Sequence, residues 1–252
     1  MLLGAALALA SPALAPAPPI DSATQSTSGA RLQAWVVQAS ADLDARAISA
    51  LAAISRPDRR LLALRAYLRA GNSLDERWSW SQDRIAAYAA SPEGKAAAAD
   101  IDAVTAAFAA ANPGFTLRVN RMPRSLEAQL ARWNDNPSVG TVAAALARAL
   151  EQQFGSSATV PDKAQLRRAL MDWTPDSAAP LAAPGLSAHG QGRAFDSQVE
   201  QQGRVISGIV SASAHSQWDA AGWTRRLHAA VAAAGNRFYG PLASPYEPWH
   251  YA

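Results

Sequence analysis

Apolar residues recur every three or four positions through most of the first 110 residues, as in Leu61, Leu62, Leu64, Tyr67 and Leu68. That spacing lines one face of an α-helix. Pro57, the Gly71-Asn72-Ser73 cluster and Ser91-Pro92-Glu93-Gly94 interrupt it, which predicts three or four helices between about Ala30 and Ala111. After Asn112-Pro113-Gly114 the pattern changes. Phe115-Thr116-Leu117-Arg118-Val119 alternates apolar and polar residues, as a half-buried strand does. Ser125 is placed to cap a helix that carries Leu126, Leu130 and Trp133 on one side. A further helix is predicted from Thr141 to about Phe154, followed by a loop rich in Pro, Ala and Ser up to residue 184. Ala194-Phe195-Asp196 and Val205 to Val210 are expected as strands, Trp218 through Ala234 as a helix ended by Gly235-Asn236, and the remainder as a loop with a short strand.

The sum is an α+β chain in which a helical amino-terminal part packs on a small antiparallel sheet. Residues 31–111 make the helical region and 112–252 the sheet-bearing domain. Alanine-rich helices bury little area per residue, so the two parts are expected to form one unit.

Composition narrows the class of function. Hydrophobic residues are 49% and charged residues 17%, which excludes a chain disordered for want of apolar surface. The net charge of +3 comes without any long basic run, so nucleic acid is not an expected partner. With no cysteine, a disulfide framework, a thiolate zinc site, an iron–sulfur cluster and a cysteine nucleophile are all excluded. Any metal must rest on His and carboxylate. Residues 1–15 are apolar and small and end in Ala13-Leu14-Ala15, the pattern of a secretory signal peptide. Residues 16–30, with Pro, Ser, Thr and Gly, are expected to be a flexible lead-in. No later run reaches the ~20 apolar residues of a transmembrane helix. The mature chain is therefore expected to be soluble, secreted or periplasmic, and monomeric.

The four histidines stand at 189, 215, 228 and 250, and two of them have carboxylates at useful spacing. His189 lies in a glycine-containing loop that leads into a strand carrying Asp196, and such a loop can turn closely enough to aim both side chains at one point. His250 closes Glu247-Pro248-Trp249-His250. Two imidazoles and one carboxylate suit a zinc ion and leave a fourth position for water. Hydrolysis of an amide also wants a base that takes a proton and hands it on, for which Glu247 is the candidate. Arg124, at the end of a strand, is the candidate partner for a developing oxyanion. His215 is read as a surface or helix-capping residue and His228 as an exposed helix residue. Trp78 and Trp80 are read as packing groups rather than a platform for a sugar ring, and Trp249 as the anchor of the terminal segment.

Ser187, His189, Gly192, Ala194 and Asp196 form the pattern Ser-x-His-x-x-Gly-x-Ala-x-Asp, and the chain closes with Glu-Pro-Trp-His-Tyr. Together these resemble the D-alanyl-D-alanine carboxypeptidases of the VanY type, zinc metallopeptidases grouped with lysostaphin-like enzymes and the hedgehog amino-terminal domain. Upstream, Arg124-Ser125-Leu126-Glu127-Ala128-Gln129 is similar to that family's Arg-Ser segment. The resemblance covers about Phe115 to Tyr251, with a longer stretch than usual between Gln129 and Ser187. It implies that His189, Asp196 and His250 bind one Zn2+ ion and that Glu247 is the catalytic base. It further implies that Arg124 holds the substrate carbonyl or carboxylate, with Ser187 and Gln129 lining the substrate site. The implied activity is removal of the terminal D-Ala from peptidoglycan stem peptides. A peptidoglycan endopeptidase with the same zinc site, or a non-catalytic zinc-stabilised module that binds the cell wall, are the alternatives.

Overall fold

The computed structural model describes residues 22–121, 123–155 and 161–252; the predicted signal peptide lies outside them. The chain is α+β, with ten α-helices, a four-stranded antiparallel sheet and a separate two-stranded sheet, Leu242–Ala243 with Tyr246–Glu247, among the described residues. None of these helices is long and apolar enough to cross a membrane.

The amino-terminal region holds six helices rather than three or four: α1 (Ser22–Ser40), α2 (Ala45–Ala53), α3 (Pro57–Ala70), α4 (Leu74–Arg77), α5 (Gln82–Ala90) and α6 (Pro92–Ala111). The expected lead-in over 16–30 is helical from Ser22 onward, because α1 continues into a stripe of Leu32, Trp35, Val36 and Ala39 that is buried in the core. The expected breaks fall where the sequence places them. Pro57 sits in the first turn of α3, where its missing N–H costs nothing. Gly71 ends that helix at a φ of 51°, and Ser91 caps α6 by accepting from the Gly94 amide. Two additional breaks lie at Ala41-Asp42-Leu43-Asp44, where the Asp44 carboxylate caps α2, and at Trp78-Ser79-Trp80-Ser81, where the Ser81 hydroxyl caps α5.

Strand β1 (Phe115–Asn120) leads to α7 (Leu126–Asp135), capped by Ser125 as expected, and then to α8 (Pro137–Phe154). A further helix, α9 (Lys163–Asp172), occupies part of the predicted loop. Its start is a reciprocal capping box between Asp162 and Gln165, a short signal submerged in the Pro- and Ala-rich surroundings. Strands β2 (Phe195–Gln201) and β3 (Arg204–Ser207) follow. The helix predicted from Trp218 divides into a π-helical turn, Ala214–Asp219, and α10 (Trp223–Ala233), because Gly222 between them takes a left-handed φ of 75°. The terminal segment contributes β4 (Leu242–Ala243), β5 (Tyr246–Glu247) and β6 (His250–Tyr251).

Strand β2 is the centre of the sheet. It pairs antiparallel with β1 from Phe115↔Gln201 to Asn120↔Asp196, and on its other edge with β3 and then β6, where Asp196 lies opposite His250. Two apolar clusters stabilise the molecule. One gathers α1, α2, α3, α7, α8 and α9 around Trp35, Tyr67, Trp133 and Leu146. The other places α6 and α10 against the sheet around Phe108, Trp218, Trp223 and Trp249. The site lies where segments from both clusters meet.

Candidate metal centre

The sheet register supplies the first pair of side chains. Directly opposed residues on neighbouring antiparallel strands project to the same face, so β2 and β6 set Asp196 beside His250. His250 Nδ1 lies 3.0 Å from Asp196 Oδ1. Two anchors fix the short β6: the Ser197 amide donates to the Trp249 carbonyl over 3.1 Å, and the Trp249 indole is buried against Trp218, their ring centroids 5.9 Å apart. Trp249 thus fastens the terminal segment, as its sequence context suggests.

His189 comes from the other direction, on a 3₁₀ turn at Ala188–Gln191. Its Nε2 is 3.3 Å from Asp196 Oδ2, and its ring meets that of His250 at 79° with centroids 5.0 Å apart. One ligand atom from each of His189, Asp196 and His250 falls within a set no wider than 4.8 Å. Ligands at 2.0–2.1 Å around a tetrahedral ion are about 3.3 Å apart, so a group of one ligand atom from each residue, all within 4.8 Å of one another, is compact enough to close on one ion. The three residues can hold a metal ion, and two neutral nitrogens with one anionic oxygen are donors that zinc accepts.

The turn that carries His189 is locked by polar contacts from the segment between β1 and α7 and from the helical region. The Arg124 amide donates to the His189 carbonyl over 3.0 Å, and the Trp80 amide to the Gly190 carbonyl over 2.9 Å. Gln191 Nε2 donates to the carbonyls of Glu76 and Trp78. At Gly190 any side chain would overlap Ser79 Oγ, and at Gly185, where φ is 91°, a Cβ would stand 2.7 Å from the Trp78 ring. Glycine is required at both positions by the close approach of these segments.

Glu247, on β5, has Oε2 3.8 Å from His250 Nδ1. Burial pushes its carboxyl above the ordinary range, the negative charge of Asp196 adds to this, and His250 and Arg124 oppose it. Asp196 responds in the opposite sense. Burial would raise it too, but hydrogen bonds and charge from His189 and His250 prevail and hold it well below the usual carboxylate range. The two carboxylates of the site are therefore shifted in opposite directions, Asp196 downward and Glu247 upward. Arg124 places Nη2 3.8 Å from Asp196 Oδ2 with most of its side chain buried. Burial lowers its pKa, with Arg132 adding to the effect.

The structure brings His189, Asp196, His250, Glu247 and Arg124 together, and places the remaining two expected residues behind them. Ser187 is buried, and its carbonyl accepts from the Gly190 amide over 2.8 Å. Gln129 does not present its amide to a substrate. Its Nε2 donates to Ser79 Oγ (2.9 Å) and to the Arg124 carbonyl (2.8 Å), and its Oε1 accepts from the Gly185 amide (3.0 Å). Its polar capacity is consumed by the framework, so it is a clamp between α7, the Ser79 segment and the metal loop. His215 is highly exposed and bonds Asp219, and His228 is exposed, in keeping with their surface assignments.

Sequence reasoning missed Ser79, Gln191 and Asp219. Asp219 Oδ1 accepts from Tyr246 (2.7 Å) and Thr224 (2.5 Å), steadying the residue next to Glu247. No short motif marks such residues, whose partners are remote in the chain. No protein-family model, curated protein or solved structure matches this chain.

Proposed function

We propose that the protein is an exported, zinc-dependent D,D-carboxypeptidase of the VanY type that removes the terminal D-alanine from peptidoglycan stem peptides. The observation that carries this reading is the convergence of His189, Asp196 and His250 with a half-buried glutamate, Glu247, whose carboxylate lies 3.8 Å from His250. A purely structural metal has no use for such a glutamate, and closed structural sites supply a fourth protein ligand. That argues for catalysis over a binding module.

His189, Asp196 and His250 would hold the ion. Zinc bound there supplies a Lewis acid for the scissile carbonyl and makes water acidic enough to attack near neutral pH. Glu247 accepts the proton of the attacking water and delivers it to the amine as the C–N bond breaks; the two products gain the elements of one water molecule. Its raised pKa suits both transfers. Arg124 offers its guanidinium to the oxyanion or to the substrate carboxylate, and its proximity to Asp196 restricts where that group can point. Peptidoglycan is the substrate implied by the three motifs, and residues 1–15 would deliver the protein to the periplasm or the exterior.

The decisive test is mass spectrometry of a purified pentapeptide muropeptide after incubation with the zinc-loaded protein, beside a chelator-treated control. Chelator-sensitive loss of one alanine is expected. An untouched pentapeptide would overturn the carboxypeptidase reading and turn attention to cross-linked dimers, the substrate of an endopeptidase.

A further inference from the structure

The contribution of the helical region to the site extends beyond the framework. The Trp80 amide is bonded to the Gly190 carbonyl, one residue past His189. From there the Trp80 ring reaches α5, where Arg84 and Tyr88 are four residues apart and so share a face. The Arg84 guanidinium lies over the Trp80 ring at 4.5 Å from its centroid, and Tyr88 meets the same ring edge-on at 5.1 Å. Tyr88 in turn borders Gly192, where an added Cβ would stand 3.4 Å from the tyrosine ring. Aromatic contacts therefore run without a gap from Arg84 to the end of the metal loop.

Arg84 and Trp80 line a cavity of about 390 Å³ with Ser79, Ser81, Arg46 and Glu127. Its two arginines differ in kind. Arg46 is neutralised by Asp44 and Asp75. Arg84 stacks on Trp80 and has no carboxylate within ion-pair distance among the described residues. A guanidinium held over an indole and without an ion-pair partner keeps N–H donors available, and a guanidinium can receive a planar carboxylate through two parallel hydrogen bonds. With Arg84 already over the indole, the cavity is better suited to such a group than to a sugar ring. Asp75, paired with Arg46, and Glu127 line the same cavity and give it mixed sign, which disfavours a polyanion and suits a peptide bearing both charges.

We propose that Arg84, held by Trp80, forms a subsite for a carboxylate of the substrate peptide, so that the helical region reads the stem while the metal centre cuts its end. This rests on the stem-peptide reading above. An extended five-residue peptide spans roughly 17 Å, and the subsite begins one hydrogen bond away from the residue after His189. Arg84 makes no contact with the metal ligands and is a specificity residue.

The test uses the tripeptide L-Ala-γ-D-Glu-L-Lys, which lacks the D-Ala–D-Ala bond, so binding is separated from turnover. Isothermal titration calorimetry with the full-length, zinc-loaded protein is expected to show the Arg84→Gln variant binding it about tenfold more weakly, the effect of one charge-assisted pair. Two further probes, amidated at the D-glutamate carboxyl or at the C-terminus, identify the carboxylate. The D-glutamate carboxyl is the one that the tripeptide shares with the pentapeptide, so its amide should bind the wild-type protein about tenfold more weakly than the acid, and Arg84→Gln should not distinguish the two; weakening by C-terminal amidation alone would overturn the subsite. Equal binding of the acid form by both proteins, equal binding of all three peptides by the wild type, or no binding at all would overturn the subsite. Alanine release from pentapeptide is scored separately. Tripeptide binding without alanine release leaves the subsite standing and removes the carboxypeptidase reading; release without Arg84-dependent binding does the reverse.

Discussion

Replacing Gln129 by Met separates two roles that the sequence alone leaves mixed. Methionine keeps the length of the side chain and removes its polar atoms, so packing around α7 is preserved while three hydrogen bonds vanish: to Ser79 Oγ, the Arg124 carbonyl and the Gly185 amide. Gln129 and Ser79 are both buried, at 6% and 8% exposure, so water cannot readily replace the lost partner. Each bond contributes about 0.5–1.5 kcal/mol net, and a buried group left without a partner costs about 1–3 kcal/mol. The expected loss is therefore about 2–4 kcal/mol. For a chain of this size that corresponds to a fall in melting temperature of roughly 4–16 °C. Thermal and urea unfolding of the metal-free protein would measure it, with zinc affinity followed in parallel, since the same bonds brace the loop behind His189. A Gln129→Met protein with wild-type stability and zinc affinity but a raised KM would refute the clamp and restore Gln129 to the substrate site.

Other expectations follow from the same geometry. His250→Ala should weaken zinc binding by at least about a hundredfold, beyond the range usual for outer partners of a metal, as read by competition with a chromophoric chelator. The raised carboxyl of Glu247 means that, without metal, its ionisation opposes folding: the penalty is absent below its ordinary value near 4.3 and grows as pH rises through the higher folded value. Metal-free Glu247→Gln should accordingly melt higher than wild type at pH 7 and close to it at pH 4, while the zinc-loaded variant loses turnover but keeps its metal. Asp196 works in the opposite direction. Its lowered value contributes stability that is present above about pH 3.9 and lost as pH falls toward the folded value, so Asp196→Asn should flatten the acid limb of the metal-free stability curve. Ser125→Ala removes the cap that accepts from the Ala128 amide and should cost about 1 kcal/mol in urea unfolding.

Periodicity located the elements that rest on local chemistry. The Ser125 cap, the Pro57 and Ser91-Pro92 boundaries and β1 all lie where spacing and capping residues put them. It failed where a boundary depends on something less conspicuous, such as the capping box of α9 or the left-handed Gly222 that divides the terminal helix. The convergence of His189, Asp196 and His250 is legible only as a motif, because it is produced by the Asp196↔His250 register and a turn pinned from elsewhere. The assignment of Gln129 shows the limit most clearly. A glutamine four residues after a capping serine reads equally well as a ligand contact or a clamp, and the choice depends on Gly185 and Ser79, each at least 50 residues away in the sequence.

The chain visits the two apolar clusters in alternation. It enters the sheet cluster with α6 and β1, returns to the helical cluster for α7, α8 and α9, and comes back at β2. No single cut yields both halves intact. A fragment beginning at residue 112, where the composition changes, would carry every metal ligand and Glu247 but would strip α6 from one side of the sheet and leave α7 to α9 with half of their packing partners. For anyone wishing to transplant or miniaturise this centre, the smallest workable piece is close to the whole interleaved chain from α1 to β6. An expression trial of residues 112–252 should give aggregated protein even with zinc in the medium.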